Sequence, residues 1–160
     1  MEPWRMATSI RAYMDGSKSS TPETTTCAIF VPTLNHDHAW KLTKGYSIFT
    51  SKVTAIYQAL KLIYDVDDCT QEAIIYSDSS SAITAILSNS LSENEAVTST
   101  REIMDSLKSS GTRTRLTWIP IHTGIEENER VDRLAAIECN TQDGDRVNNS
   151  HQINGLNNKG

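Results

Sequence analysis

The spacing of hydrophobic and polar positions changes several times along the chain, and each change marks a predicted element. Ile10-Arg11-Ala12-Tyr13-Met14 has the bulk and length of a strand, and it runs into Asp15-Gly16-Ser17, a turn former followed by polar residues as far as Thr24. Thr25 to Val31 is β-branched and apolar enough for a second strand, and His38 to Lys44 fits a third, with Pro32 to Asp37 as the connection. The three read as an antiparallel meander. From Phe49 the period becomes helical: Phe49, Val53, Ile56, Leu60, Ile63 and Tyr64 recur at three and four, one apolar stripe ending near Val66.

Ala73 to Ser77 is a compact strand block that delivers Asp78, and Ala82, Ile83, Ile86 and Leu87 follow in a short helical pattern. Ser92 and Glu95 have the spacing of a capping box, with Val97, Met104 and Leu107 as the stripe and Gly111 where a helix end favours a left-handed residue. Leu116 to Pro120 is another strand block, His122 to Asn128 a loop, and Glu129 to Asn140 a final helix. The predicted order is βββ, α, β, α, α, β, α. Residues 1–8 read as a flexible leader and residues 9–140 as the folded domain. Residues 141–160, rich in Asn, Gly and Asp, read as a disordered tail too poor in apolar surface to offset its ordering entropy.

Composition adds three constraints. A chain of 160 residues is one domain, large enough to bury a core without staples. Three widely spaced cysteines, Cys27, Cys69 and Cys139, show neither zinc-site spacing nor the density of a secreted scaffold. With no signal-like or membrane-length apolar run, they point to a soluble intracellular protein, cytoplasmic or nuclear. The net charge of -5 argues against strong nonspecific binding of nucleic acid, but not against carboxylates gathered around metal ions.

Three aspartates stand at the edges of predicted elements: Asp15 after the first strand, Asp78 after the fourth, Asp132 early in the last helix. Singly, each has an ordinary explanation: turn chemistry for Asp15-Gly16, a helix N-cap for Asp78, the helix dipole for Asp132. Brought together at neighbouring strand ends, they would suit magnesium, a hard cation that takes oxygen ligands. Two such ions activate water and stabilise a leaving oxygen in phosphodiester cleavage.

Tyr13-Met14-Asp15-Gly16-Ser17-Lys18, Tyr76-Ser77-Asp78-Ser79 and the stretch from Trp118-Ile119-Pro120-Ile121-His122-Thr123-Gly124-Ile125 through Asn128-Glu129 to Asp132-Arg133-Leu134-Ala135 resemble ribonuclease H. The similarity is greatest to the ribonuclease H segment of non-LTR retrotransposon polyproteins and spans about Ile10 to Cys139. It implies an α/β fold with a five-stranded mixed sheet, three antiparallel strands then two parallel, and helices on both faces. It also implies metal-dependent hydrolysis of the RNA strand of an RNA/DNA hybrid, leaving a 3′-hydroxyl and a 5′-phosphate. The cofactor implied is Mg2+, or Mn2+, at a two-ion site.

By position, Asp15, Asp78 and Asp132 match the family's metal ligands, and His122 the loop histidine that assists proton traffic and product release. Gly16, Ser17, Thr50, Ser79 and Asn128 are the candidate substrate contacts. The expected partners are the hybrid and a reverse transcriptase domain of the same polyprotein, with the domain itself monomeric. Integrases and transposases share such a carboxylate cluster, but the His122 to Ala135 ending favours ribonuclease H.

One position departs from the pattern. The family's motif resembles Phe-Thr-Ala-Glu-Leu-x-Ala-Ile, whereas this chain reads Phe49-Thr50-Ser51-Lys52-Val53-Thr54-Ala55-Ile56, so Lys52 stands where a catalytic glutamate is expected. The next acidic residue of the helix, Asp65, is more than three turns on. The exchange removes an oxygen ligand and changes the local charge by two units, each unit pair being worth roughly 4 kcal/mol at contact in a protein-like dielectric. The expectation is that Lys52 pairs with Asp15 or Asp78, that the second metal position is weakened, and that hydrolysis is impaired. The alternative is a catalytically inactive hybrid-binding module or a structural remnant of the polyprotein.

Overall fold

A computed structural model of the chain describes residues 8–66, 70–121 and 123–141. Cys69, His122, most of the expected leader and all but Thr141 of the expected tail lie outside them. The elements are β1 (Thr8–Ser20), β2 (Glu23–Val31), a 3-10 turn (Pro32–Leu34), β3 (His36–Lys41), α1 (Ile48–Asp65), β4 (Thr70–Ser77), α2 (Ser80–Leu87), α3 (Glu95–Ser109), β5 (Arg113–Trp118) and α4 (Glu126–Asn140). The strands form one sheet in the order β3-β2-β1-β4-β5. β1, β2 and β3 pair antiparallel, while β4 runs parallel to both β1 and β5. This is the expected mixed sheet.

Strand alternation divides the core between two faces. Ile10, Ala12 and Met14 of β1, Cys27, Ile29 and Val31 of β2, and Ala73 and Ile75 of β4 meet Val53, Ile56 and Leu60 of α1, with α2 and α3 completing that layer. The opposite face buries Ala28 and Phe30 against Val131 and Ala135 of α4, with Tyr13 beside them. Full burial of a side chain such as Leu60 or Ile75 stabilises by about 1.5–3 kcal/mol.

Three local expectations are corrected. Asp15-Gly16-Ser17 is not a turn: β1 continues to Ser20, because Asp15, Gly16 and Ser17 pair with Ala28, Cys27 and Thr26 of β2. The N-cap of α3 is Asn94 rather than Ser92, its side chain accepting from the backbone N–H groups of Ala96 and Val97. α4 begins three residues earlier than expected, at Glu126, which places Asp132 in its second turn and removes the first-turn dipole explanation for that residue. Gly111, at φ +89, takes the left-handed conformation expected after α3.

Arg101 of α3 closes the end of α2. Its guanidinium donates to the backbone carbonyls of Ala85 at 2.7 Å and Ile86 at 3.1 Å, groups that a helix C-terminus leaves without partners, and to that of Ser90 at 2.8 Å in the segment beyond the helix. Arg101→Met keeps the stem and removes the donors. It is expected to lower unfolding free energy by about 2 kcal/mol in a urea titration, with faster amide exchange in α2. An unchanged midpoint would assign those carbonyls to solvent.

Candidate active site

The parallel register explains how two distant aspartates meet. Tyr13 of β1 pairs with Tyr76 of β4, and two residues further along each strand stand Asp15 and Asp78. α1 crosses the face beneath, and its first turns carry Lys52 to the same rim. The Lys52 Nζ lies 2.7 Å from Asp78 Oδ1 and 3.2 Å from Asp15 Oδ1. It therefore pairs with both carboxylates, where the sequence suggested one or the other. Asp132, on α4, comes near enough to the Asp15 side chain to raise its carboxyl.

The pair is secluded: the Asp15 and Asp78 side chains are 7% and 6% exposed and that of Lys52 18%. Burial pushes the Asp15 carboxyl up to about 7 from an ordinary 3.8, against the pull of the Lys52 ammonium. The charge of Asp78 and the neighbouring Asp132 carboxyl add to the rise, and the Gly16 N–H, donating to Asp15 Oδ1 at 2.7 Å, opposes it. Burial alone would lower Lys52, but Asp15 and Asp78 outweigh it and hold the ammonium above its usual range. The ion pair is thus centred on Asp78, the nearer carboxylate, and burial favours the protonated form of Asp15.

A raised carboxyl has a definite linkage. Between the ordinary value of 3.8 and the folded value of about 7, the folded chain binds a proton that the unfolded chain releases. The resulting stabilisation is full below the unfolded pKa and is lost as pH rises through about 7. Stability measured against guanidinium should therefore fall from pH 4 to pH 8 by a few kcal/mol more in the native chain than in Asp15→Asn. Parallel pH profiles for the two proteins would show that Asp15 titrates normally.

The other candidates fall into different surroundings. Gly16 is buried against α1, where an added Cβ would lie 2.3 Å from Ser51 Oγ, so its small size serves packing. Ser17 is half-buried opposite Thr26. Thr50 lies in the first turn of α1, its N–H donating to Ser47 Oγ and its hydroxyl accepting from Ser47 Oγ and Asn94 Nδ2. Ser79, not Asp78, caps α2 by accepting from Ala82 N–H, which leaves the Asp78 carboxylate to Lys52. Asn128 is 7% exposed, and its Oδ1 has no hydrogen-bond partner among the described residues.

Two contributors were not singled out from the sequence. Trp118 Nε1 donates to the Asp78 carbonyl at 3.2 Å and holds that strand end in place. Asn94 joins the starts of α3 and α1 through Thr50. Trp118 stands within the ribonuclease H-like motif, but nothing in its spacing shows the hydrogen bond. Asn94 was hidden behind the competing capping pattern of Ser92 and Glu95.

As folded, the rim does not fit a magnesium ion. An ammonium lies between the carboxylates of Asp15 and Asp78, and among the described residues no three His, Cys, Asp or Glu side chains gather as a ligand set. Nor is any helix among them long and apolar enough to cross a membrane. A search of curated proteins gives no match. The family model for RNase H matches residues 7–140, from the start of β1 to the end of α4 and across every strand and helix of the sheet just described. With five-sixths of its length inside that match, the chain belongs to the RNase H family.

Proposed function

We propose that this domain recognises RNA/DNA hybrids, as its family does in general, and that its hydrolytic step is slow or absent because Lys52 takes the position of a catalytic glutamate. The observation that carries the proposal is the contact of one ammonium with both Asp78 and Asp15. Mg2+ would have to displace that ammonium from two carboxylates before Asp15, Asp78 and Asp132 were free as ligands. Lys52 also changes what a nucleic-acid strand meets at the rim. A phosphate approaching bare aspartates is repelled, whereas one approaching carboxylates partly neutralised by an ammonium is repelled less, so binding can outlast the loss of cutting.

The half-buried hydroxyls at the starts of α1 and α2, Thr50 and Ser79, are the groups we assign to the hybrid backbone, with Ser17 beside the rim. His122, four residues before the start of α4 in the sequence, is assigned to proton traffic on the family pattern alone. The motifs from Tyr13 to Lys18 and from Trp118 to Ala135 place the domain, on this reading, in a retrotransposon polyprotein beside a reverse transcriptase. The test is gel retention and product formation on a labelled hybrid, with Mg2+ and then Mn2+, for the native chain and for Lys52→Glu. Retention without product by the native chain, and product from the variant, is the expected result. Neither retention nor product from either protein would leave only a folded remnant and defeat the proposal.

A further inference from the structure

The two faces of the sheet are covered unequally. α4 packs over β1, β2 and β3, and no described helix packs on the same side of β4 and β5. The register fixes what this open face displays. Nearest the rim is a row of Tyr13, Tyr76 and Thr117, then a row in which Arg11 and Arg115 flank a buried Ile74, and beyond it Glu72 beside Arg113. Arg11, Arg113 and Arg115 are all exposed. Glu72 is the single acid in these rows, and it is bound to Arg115 at 2.8 Å. Three arginines against one glutamate make this a basic surface on a chain whose net charge is -5.

The aromatic row has its own geometry. Tyr13 and Tyr76 stack with ring centroids 4.9 Å apart and planes 15° from parallel. Tyr13 is also held by the α4 cluster, so the pair is a fixed platform, and the ring face of Tyr76 away from Tyr13 lies on the uncovered β5 side. Guanidinium groups match phosphate in charge and in paired hydrogen bonds, and a tyrosine face stacks on any base. Bases of a duplex are already stacked on one another, so this combination selects an unpaired strand over a helix. An acidic peptide would satisfy the arginines but leave the platform without a role.

We propose that the open face of β1, β4 and β5 binds single-stranded nucleic acid, with phosphates on Arg11, Arg113 and Arg115 and a base on Tyr76, in a track that ends at the carboxylate rim. The surface is separate from the hybrid contacts assigned above and does not depend on them. Fluorescence anisotropy of a labelled oligouridylate with the full chain tests it at low salt. Arg11→Glu with Arg113→Glu should weaken binding about 100-fold and make the salt dependence shallower by about 1.4 log units per decade, as loss of two single-strand phosphate contacts requires. Tyr76→Leu, which keeps the bulk and removes the platform, should weaken it about tenfold. The charge-matched pair Lys44→Glu with Lys61→Glu, one in the segment after the far edge strand β3 and one on α1 across the sheet, should leave affinity unchanged. An equal loss in that pair, equally tight binding of polyglutamate, or no measurable binding by the native chain would each overturn the proposal. Unchanged melting of Tyr76→Leu keeps its result separate from a folding defect.

Discussion

Lys52→Glu is expected to destabilise the chain in EDTA by about 3–5 kcal/mol, the usual cost of breaking a buried ion pair from one side. The native ammonium offsets two nearly buried carboxylates, and the substitution adds a third negative group where the first two are already crowded. Asp15, already raised by burial, would be driven further up and would hold its proton to higher pH. The same change supplies the oxygen ligand that the family pattern expects. Mg2+ should therefore stabilise the variant and not the native chain, by about 2.7 kcal/mol at a hundredfold excess over its dissociation constant. Cleavage of the hybrid's RNA strand should rise about 100-fold over the native chain, which corresponds to about 2.7 kcal/mol of barrier. Differential scanning fluorimetry with and without Mg2+ reads the first effect independently of catalysis, and a denaturing gel reads the second. A variant that gains neither a Mg2+-dependent shift nor product would show that Lys52 is not what disables the rim.

Gly16→Ala is expected to cost about 3 kcal/mol, at the upper end of what overpacking a core by one methyl does. The added carbon would sit 2.3 Å from Ser51 Oγ, 3.0 Å from Ser51 Cβ and 3.1 Å from the Lys52 backbone nitrogen. Ser51 cannot rotate away without losing its hydrogen bond to the Thr26 carbonyl, at 2.5 Å, in a fully buried position. Relief must come from moving the start of α1 off β1, and Lys52 moves with it. The variant should thus melt lower, and Asp15, with the ammonium that lowers it drawn away, should rise further and give a larger pH dependence of stability. Ser51→Ala in the Gly16→Ala background removes the 2.3 Å clash and should recover part of the loss in chemical denaturation. Equal stability of the single and double variants would locate the strain elsewhere.

The sequence by itself determined the order and type of the elements, because a short continuous run of β-branched and apolar residues suits a strand buried on both faces, as in β2, and three-four spacing suits one face of a helix, as in α1. It also located Asp15, Asp78 and Lys52, since motif order survives without coordinates. Boundaries were less legible: Asp15-Gly16-Ser17 carries turn chemistry, and only pairing with β2 keeps it extended. Asn94 displaced Ser92 as a cap, and Asp78 yielded the cap of α2 to Ser79, because the direction of the incoming chain decides which side chain reaches the free N–H groups.

The meeting of one ammonium with two carboxylates was decided by tertiary structure alone. It needs the parallel register of β1 on β4 and the close approach of α1 over Gly16, contacts between segments more than twenty residues apart. The uncovered face of β4 and β5 is likewise a property of where α4 packs and not of any segment's pattern. Local sequence fixes which way a side chain points from its own backbone, while charge proximity, burial and exposure arise only when the elements are packed together.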